Sequence, residues 1–282
     1  MLVSVICATI GPLFDVDRLL LSLHDSLRNV KSSIDVEFVL VDQSGAVDHQ
    51  FPTSDLIRFL HIKNPARGLS INRNIGLDKA SGEWILLMDS DCVIHRNYFA
   101  QFLLLARDHP HIDHFVGQIM DLDGKLPLFR KWPRTARRVS ALRAWYYSTS
   151  VNNIFRSKAT ALRFDESFGL GAEYGSCEDV DFFLRLKSKA LYSPVLITHH
   201  PSFSRTDIPR EKLNSYSYGF GALCAKHVFP YGLGMLAMSI FKKMFGVITG
   251  EVSLPYLIDA GFFRIKGFAL YLKNETALRN HG

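Results

Sequence analysis

An apolar run that stops on two carboxylates constrains this chain more than any other stretch: Trp84-Ile85-Leu86-Leu87-Met88-Asp89-Ser90-Asp91. Five successive apolar residues ahead of Asp89 suit a strand buried on both faces, the pattern of a parallel sheet covered by helices. Such sheets bind ligands beyond the carboxyl ends of their strands. Two acids at spacing i, i+2 in that position repel each other and lose hydration. Their pairing makes most physical sense with a hard divalent cation, Mn²⁺ or Mg²⁺, between them and a substrate phosphate. Taken alone, Asp-x-Asp is more often a solvated turn, so the rest of the chain must decide.

With 282 residues, 48% hydrophobic and 21% charged, the chain has enough apolar mass for a large α/β domain with or without a helical appendage. Its cysteines, Cys7, Cys92, Cys177 and Cys224, are scattered and include no Cys-x-x-Cys. Neither a disulfide framework nor a zinc site is indicated, and a reducing cytoplasm is expected. The sequence enters Leu2-Val3-Ser4-Val5-Ile6 at once, without the basic segment and cleavage pattern of a secretion signal.

The net charge of +6 is segregated. Residues 1–123 carry 10 bases against 16 acids, whereas residues 124–164 carry 10 bases and no acid. Such a patch is commonly solvated surface, but it also suits an anionic partner such as a diphosphate or a phospholipid surface. No nucleic-acid recognition motif accompanies it.

Val16, Leu19, Leu20, Leu23, Leu27 and Val30 recur at helical spacing over residues 15–30, and Val36-Glu37-Phe38-Val39-Leu40-Val41 reads as a second strand ending at Asp42. Strand, helix and strand within about forty residues form a βαβ unit, which places Thr9 and Asp42 at neighbouring strand ends. An acid there can accept a hydrogen bond from a base imide N–H, or simply cap a turn. A third strand over residues 57–62 leads to a turn at Pro65 and Gly68. Ser70 is the expected N-cap of a helix whose Ile71 and Ile75 face the sheet, with Arg73 and Asn74 on the remaining face toward the crevice.

Four segments then fall into one pattern: Val41-Asp42-Gln43-Ser44, Gly68-Leu69-Ser70-Ile71-Asn72-Arg73-Asn74-x-Gly76, Ala80-Ser81-Gly82-Glu83-Trp84, and Asp89-Ser90-Asp91. In order, spacing and context the chain resembles, over residues 2–100, the nucleotide-binding half of the GT-A-fold inverting glycosyltransferases of family two, with Asn72 where Ala is usual and Gln43 where an acid or Asn is commoner. The resemblance implies that Thr9 and Asp42 contact the nucleotide, that Arg73 lies near base or diphosphate, and that Asp89 and Asp91 bind ribose and metal. It also implies an α/β fold with a mostly parallel sheet flanked by helices. The domains expected are a GT-A domain over 1–207, split at 123 into nucleotide-binding and acceptor halves, and a C-terminal helical extension over 208–282.

Beyond residue 100 a helix at Phe99–Ala106, strands at 115–120, 150–155 and 191–198, and a basic segment with Trp132, Trp145, Tyr146 and Tyr147 are expected. Those aromatics suit either a core beside a basic surface or an acceptor site that stacks sugars. Phe164-Asp165-Glu166-x-Phe168-Gly169-x-Gly171 precedes Ser176-Cys177-Glu178-Asp179-Val180-Asp181. Helix capping alone accounts for acids in that place. By resemblance to the family's Glu-Asp motif, Asp179 is the catalytic base and Glu178 its orienting neighbour. His199 and His200 end a strand, where a structural role is commoner than a ligand role, and both are weak metal candidates. The tail places Leu233, Leu236, Ile240, Met244 and Ile248 on one stripe. Its longest charge-free stretch, His227 to Phe241, is fifteen residues, short of the roughly twenty a span needs. With Lys242, Lys243, Arg264, Lys266 and Lys273 nearby, it suits an anionic membrane surface, or packing on the domain or on a second subunit of a homo-oligomer.

The leading expectation is therefore an inverting transferase taking a sugar from a nucleotide-sugar donor, UDP-linked, to a glycan or lipid-linked glycan in surface polysaccharide synthesis. A nucleotidyltransferase acting on sugar phosphates would carry a Gly-rich basic loop after its first strand, and Ala8-Thr9-Ile10-Gly11-Pro12 lacks it. A non-catalytic glycan-binding subunit would need none of Asp89, Asp91, Glu178 and Asp179 together.

Overall fold

The chain order of elements is β1 (Leu2–Thr9), α1 (Leu13–Leu27), β2 (Asp35–Asp42), β3 (Ile57–Lys63), α2 (Leu69–Lys79), β4 (Trp84–Asp89), β5 (Val93–Ile94), α3 (Tyr98–Asp108), β6 (His114–Asp121), β7 (Arg137–Val139), β8 (Asn153–Arg156), α4 (Glu178–Leu186), β9 (Ala190–His200), α5 (Arg210–Lys226), α6 (Leu233–Ile248) and α7 (Leu254–His281). The structure, a computed structural model, describes residues 1–28, 30, 33–46, 48–140, 143, 146–157, 161–202 and 208–281. Trp145 lies outside the described residues.

The chain divides into two compact units, Met1–Phe164 with Phe182–Ser202, and Asp165–Asp181 with Phe203–Gly282. In the first, β3, β2, β1 and β4 run parallel in that order. β8 joins β4 to β6 antiparallel to both, and β9 runs parallel to β6. This is the α/β architecture expected from the sequence, and Thr9, Asp42 and Asp89 all end their strands at the same edge.

Both faces of the sheet are covered, as an unbroken apolar strand requires. Val3, Val5 and Cys7 of β1 share a core with Val16, Leu19 and Leu23 of α1. Ile6, pointing the other way, packs with Leu77, Ile85, Leu87, Phe155 and Phe182. Trp84 is wedged between Phe102 and Phe115, ring centroids 5.1 and 5.7 Å away. Parts of the recognised motifs serve this architecture. Glu37, buried in β2, accepts hydrogen bonds from Ser4 Oγ and from the Ser81 backbone and hydroxyl. Gly82 passes so close to β1 that a Cβ there would lie 2.5 Å from Ser4 N. A Cβ on Gly76 would lie 2.3 Å from Ile6 Cγ2, so glycine is what lets α2 approach the sheet.

The cap of α2 differs from expectation. Gly68, at φ 128°, occupies the N-cap position, and Ser70 lies buried inside the helix. Ile71 and Ile75 are only half-buried, while the polar Asn72, Arg73 and Asn74 are buried. Apolar period misleads here because each polar side chain has a specific partner. Asn72 donates to the carbonyls of Ala66 (2.9 Å) and Gly68 (2.7 Å) and accepts from Asn64 (2.8 Å), which fixes the turn before the helix.

In the second unit, α5 and α7 pack at backbone distance. Cβ atoms on Gly221 and Gly267 would fall 2.0 Å from the Arg264 carbonyl oxygen and 2.1 Å from that of Tyr218. α5 buries Ser217, Gly219 and the run Gly221–Ala225, while Leu213, Tyr216 and Phe220 are half-buried. Phe168, Tyr174, Tyr218 and Tyr271 form an aromatic cluster with neighbouring ring centroids 4.9–6.1 Å apart. α6 and α7 leave Leu233, Phe241, Phe245, Ile248, Ile258 and Phe262 more than half exposed. No described helix is long and apolar enough to cross a membrane.

Candidate active site

Strand ends in the first unit gather the predicted nucleotide and metal residues. Thr9 Oγ1 accepts from the Gly11 N–H (2.9 Å) and donates to Ser90 Oγ (3.1 Å), tying the loop after β1 to the acidic turn. Asp42 is buried and already engaged: one oxygen accepts from the Ser44 N–H at 2.7 Å and the other lies 3.0 Å from His61 Nε2. Burial alone would push its carboxyl up, but the Ser44 bonds and His61 outweigh it and hold the group below the usual carboxylate range. His61 was not singled out from the sequence. Its signal is positional: in the β2–β3 register it pairs with Leu40, so it is the diagonal neighbour of Asp42.

Arg73, 3% exposed, donates to Asp89 Oδ1 at 2.8 Å, and its guanidinium lies 5.5 Å over the Phe164 ring. The two strand-end acids are therefore unequal. Asp89 has a counter-charge of its own, contrary to the expectation that both depend on one ion. Asn74 exchanges two hydrogen bonds with the backbone of Phe164, 3.0 Å from its Nδ2 and 2.8 Å to its Oδ1. It tethers α2 to Phe164, within the same unit.

Asp91 is the more open acid, with its side chain 41% exposed. Burial nonetheless pushes its carboxyl above the usual range, with Asp89 adding to the push and His200 opposing it. Side-chain alternation along β9 sends His199 and His200 to opposite faces. His199 Nδ1 lies 2.8 Å from the Asp121 carbonyl, on which it can only act as donor. His200 likewise donates Nδ1–H to the Pro201 carbonyl at 2.7 Å. In neutral imidazole that choice leaves Nε2 as a lone pair, and it sits 4.0 Å from Asp91 Oδ2.

Nε2 and a carboxylate oxygen at that distance are two potential ligand atoms for one ion. Two ligands at about 2.1 Å from one ion lie roughly 3 Å apart when cis and about 4.2 Å when trans. Asp91 and His200 therefore fit a divalent cation. Cys92 Sγ falls in the same cluster, all three ligand atoms lying within 4.8 Å of one another. Its burial in the sheet core holds the thiol well above its usual value, and it donates to Asp91 Oδ1 at 3.6 Å. A protonated thiol is a poor ligand for Mn²⁺ or Mg²⁺, so Asp91 and His200 are the pair that matters.

Glu178 and Asp179 open α4 in the first turn, where the helix dipole favours acids. Glu178 is 8% exposed, whereas Asp179 is half-buried and accepts from the Val180 N–H at 2.7 Å. The same turn holds a group the sequence reading did not single out. Asp181 is fully buried, and its Oδ1 lies 2.8 Å from Lys226 Nζ and 2.9 Å from His227 Nε2. Lys226 also reaches Asp165 Oδ2 at 2.6 Å. One lysine at the end of α5 thereby ties together the first and last residues of the 165–181 segment, with Glu178 and Asp179 between them. The available signal was two acids set among phenylalanines, Phe164-Asp165 and Asp181-Phe182, which burial without a cation would make costly.

Of the basic segment's aromatics, Trp132 and Tyr147 are core, whereas Tyr146 is exposed. Trp132 stacks on Tyr192 (5.9 Å, 6°), Tyr147 stacks on the same ring (5.6 Å), and the Trp132 indole donates to the Ile119 carbonyl at 3.0 Å.

A parallel sheet with acids at its strand ends, an arginine on the preceding helix and an acid-bearing helix start after residue 164 together describe a class of nucleotide-sugar fold. Residues 12–164 match the model of "Glycosyl transferase family 2", and the chain belongs to that family. Its structure has the GT-A fold of the solved S. aureus TarS chains. It superposes on TarS 1–349 in complex with UDP-GlcNAc with TM-score 0.61, 18% identity, and 95% of this chain and 82% of that chain covered. For TarS 1–349 in complex with UDP the values are 0.57, 18%, 100% and 92%. Against a longer S. aureus TarS chain they are 0.56, 18%, 95% and 54%, so the present chain spans about half of it. No curated protein matches the sequence.

Proposed function

We propose that the protein is an inverting, metal-dependent transferase that moves a sugar from a UDP-linked donor to a hydroxyl of a glycan or lipid-linked glycan. The observation that carries the reading is the clustering of His200 Nε2 4.0 Å from Asp91 Oδ2 beside the Arg73–Asp89 pair, at the strand ends of a family-two chain. Thr9, Asp42, Arg73 and Asp89 hold the nucleotide. Asp42, with His61 behind it, meets the base, and Arg73 holds Asp89 oriented toward the ribose. Asn74 contributes through the position of α2. Asp91 and His200 would hold Mn²⁺ or Mg²⁺, which when bound offsets the charge developing on the departing diphosphate.

Transfer is a single displacement. The acceptor oxygen bonds the anomeric carbon as the bond to the diphosphate breaks, and its proton passes to a carboxylate. Asp179 is that base. Neighbouring helix residues point about 100° apart, so one of the two acids is the base and the other is not. The greater openness of Asp179 against the buried Glu178 supports this division. TarS chains crystallised with UDP-GlcNAc and UDP support a uridine donor. The exposed apolar residues of α6 and α7, with Lys242, Lys243, Lys266 and Lys273 among them, support a peripheral place on an anionic membrane and a role in surface polysaccharide synthesis.

Calorimetry with UDP in Mn²⁺ and then in chelator tests the reading. Affinity is expected to fall about tenfold or more on chelation and on Asp91→Asn. His200→Ala should weaken binding in Mn²⁺ only, and His199→Ala should leave it unchanged. Equal affinity with and without metal sinks the metal role.

A further inference from the structure

The stripe of α7 that faces α5 contains one residue that packing does not require. Ala260, Arg264 and Gly267 recur at i, i+4 and i+7. Ala260 and Gly267 are buried, and a Cβ on Gly221 of α5 would meet the Arg264 carbonyl oxygen at 2.0 Å. The Arg264 guanidinium lies 5.1 Å from the Phe220 ring centroid, a contact that an apolar side chain would make as well. Its Nε and Nη1 are buried, with no hydrogen-bond partner among the described residues.

No acid compensates it. Its helical neighbours at three and four positions are alanine, glycine, glycine and phenylalanine, and among the described residues no carboxylate pairs with it. Burial pushes the guanidinium below its usual value; the groups that oppose this are Tyr256, Cys224 and Cys177, none of them a carboxylate. Lys226 of the same unit has two carboxylates, so the unit neutralises one partly buried cation and leaves the other without a counter-charge, which is costly. Guanidinium charge is delocalised over three nitrogens, and an anion that meets the remaining one, Nη2, offsets the charge of the whole group. Long side chains of a helix lean toward its N-terminus, which carries Arg264 toward Tyr256, about two turns earlier. The Tyr256 hydroxyl accepts from Lys243 Nζ of α6 at 2.9 Å. Guanidinium, ammonium and phenol together are a donor set suited to phosphate. Beside it, Ile258, Phe262 and Ile265 form a second stripe of α7, 60–62% exposed. A cationic centre next to an exposed apolar stripe matches a molecule with phosphate at one end and hydrocarbon behind it.

We propose that Arg264, with Tyr256 and Lys243, binds a phosphate group, that of a lipid headgroup or of a free anion. The inference extends the membrane reading from general attraction by surface lysines to one defined site. Thermal unfolding of the full chain tests it in inorganic phosphate and in monomeric dihexanoyl phosphatidic acid, with ionic strength matched by chloride, for the parent protein, Arg264→Met and Tyr256→Phe. Phosphate taken up at the strand ends of the first unit affects all three alike, so the difference between them reports on Arg264 and Tyr256.

Without ligand, Arg264→Met should melt at or above the parent temperature, because an apolar side chain of similar length replaces an unpaired ion. With ligand, the parent protein should gain several degrees. Arg264→Met should need about tenfold more ligand for the same gain, and Tyr256→Phe about threefold more. A gain in phosphate and lipid alike shows that the anion suffices, and a gain in lipid alone assigns the site to a headgroup. No gain by the parent protein in either ligand, or a gain undiminished in both variants, overturns the proposal. Should Arg264→Met fail to fold, Tyr256→Phe decides, and a response equal to that of the parent protein overturns it. Neither ligand needs a bilayer, so failure of liposome flotation refutes the membrane reading without touching this site, and failure here leaves flotation to the exposed apolar residues.

Discussion

The two units treat carboxylates in opposite ways. At the strand ends of the first, Asp89 and Asp91 keep side-chain exposures of 37% and 41%, the one beside Arg73 and the other beside His200. In the second, Asp165 and Asp181 are 30% and 0% exposed and converge on Lys226, with His227 added at Asp181. Charge that the protein neutralises internally is structural, because removing its partner strands an ion in low dielectric. Charge left open at a strand end is available to a ligand. The contrast separates acids held by internal counter-charges from acids left partly open at a strand end, although both kinds sit within a few residues of a recognised motif.

The sharpest way to break this contrast is to remove the shared lysine. Lys226→Met leaves two carboxylates without their cation and should destabilise the protein by about 3–5 kcal/mol in urea unfolding, whereas Asp91→Asn should leave stability nearly unchanged. The effect should depend on pH with a definite sign. Burial alone would raise the Asp165 carboxyl, but its bonds to Lys226 and Ser167 prevail and depress it below 3.8. A depressed acid stabilises in full above its unfolded value, and that contribution is lost as pH falls through the folded one. The gap between parent and Lys226→Met should therefore narrow below about pH 4. A gap that widened in acid would show that Asp165 is not held by the lysine.

Next in size is Asp179→Asn, which keeps shape and hydrogen bonding but removes basicity. Transfer should fall about a hundredfold or more with UDP affinity and melting temperature unchanged. Near-normal turnover in Asp179→Asn together with collapse in Glu178→Gln would exchange the two roles. Loss of stability in Asp179→Asn would instead move Asp179 to the structural side of the comparison.

The smallest expected effect concerns the helices. Replacing the exposed Phe241 and Phe245 of α6 by Ser removes apolar area without touching the buried charge cluster. Flotation with liposomes rich in anionic lipid should fall several-fold, while neutral liposomes bind weakly throughout. Equal flotation of the variant, or no preference for anionic vesicles, would leave these faces to another partner.

Much of the first unit was legible because its signals are local or periodic. The run Trp84–Met88 has the length and apolarity of a doubly covered strand, and α1 carries its stripe at helical spacing; the structure has both. α2 departs from expectation at Ser70, Ile71 and Ile75, since the residues that bury there are polar and find partners 4 to 90 positions away. In α5, Gly219 and Gly221 are buried while Tyr216 and Phe220 stay half-buried, because glycine at 221 permits backbone contact with a helix some forty residues on. Of the His199-His200 pair, the sequence offered two equal candidates. Alternation in β9 and one bond to Pro201 single out His200.

From the sequence alone came the strand order within the first βαβ unit, the delivery of Thr9, Asp42, Asp89 and Asp91 to one edge, and the family. All of these follow from periodicity and from motif order along the chain. Tertiary structure alone decided which acid is paired with Arg73, which histidine faces Asp91, and that Lys226 joins Asp165 to Asp181. Those outcomes depend on counter-charges, lone-pair directions and burial contributed by residues distant in sequence, and no local pattern encodes them.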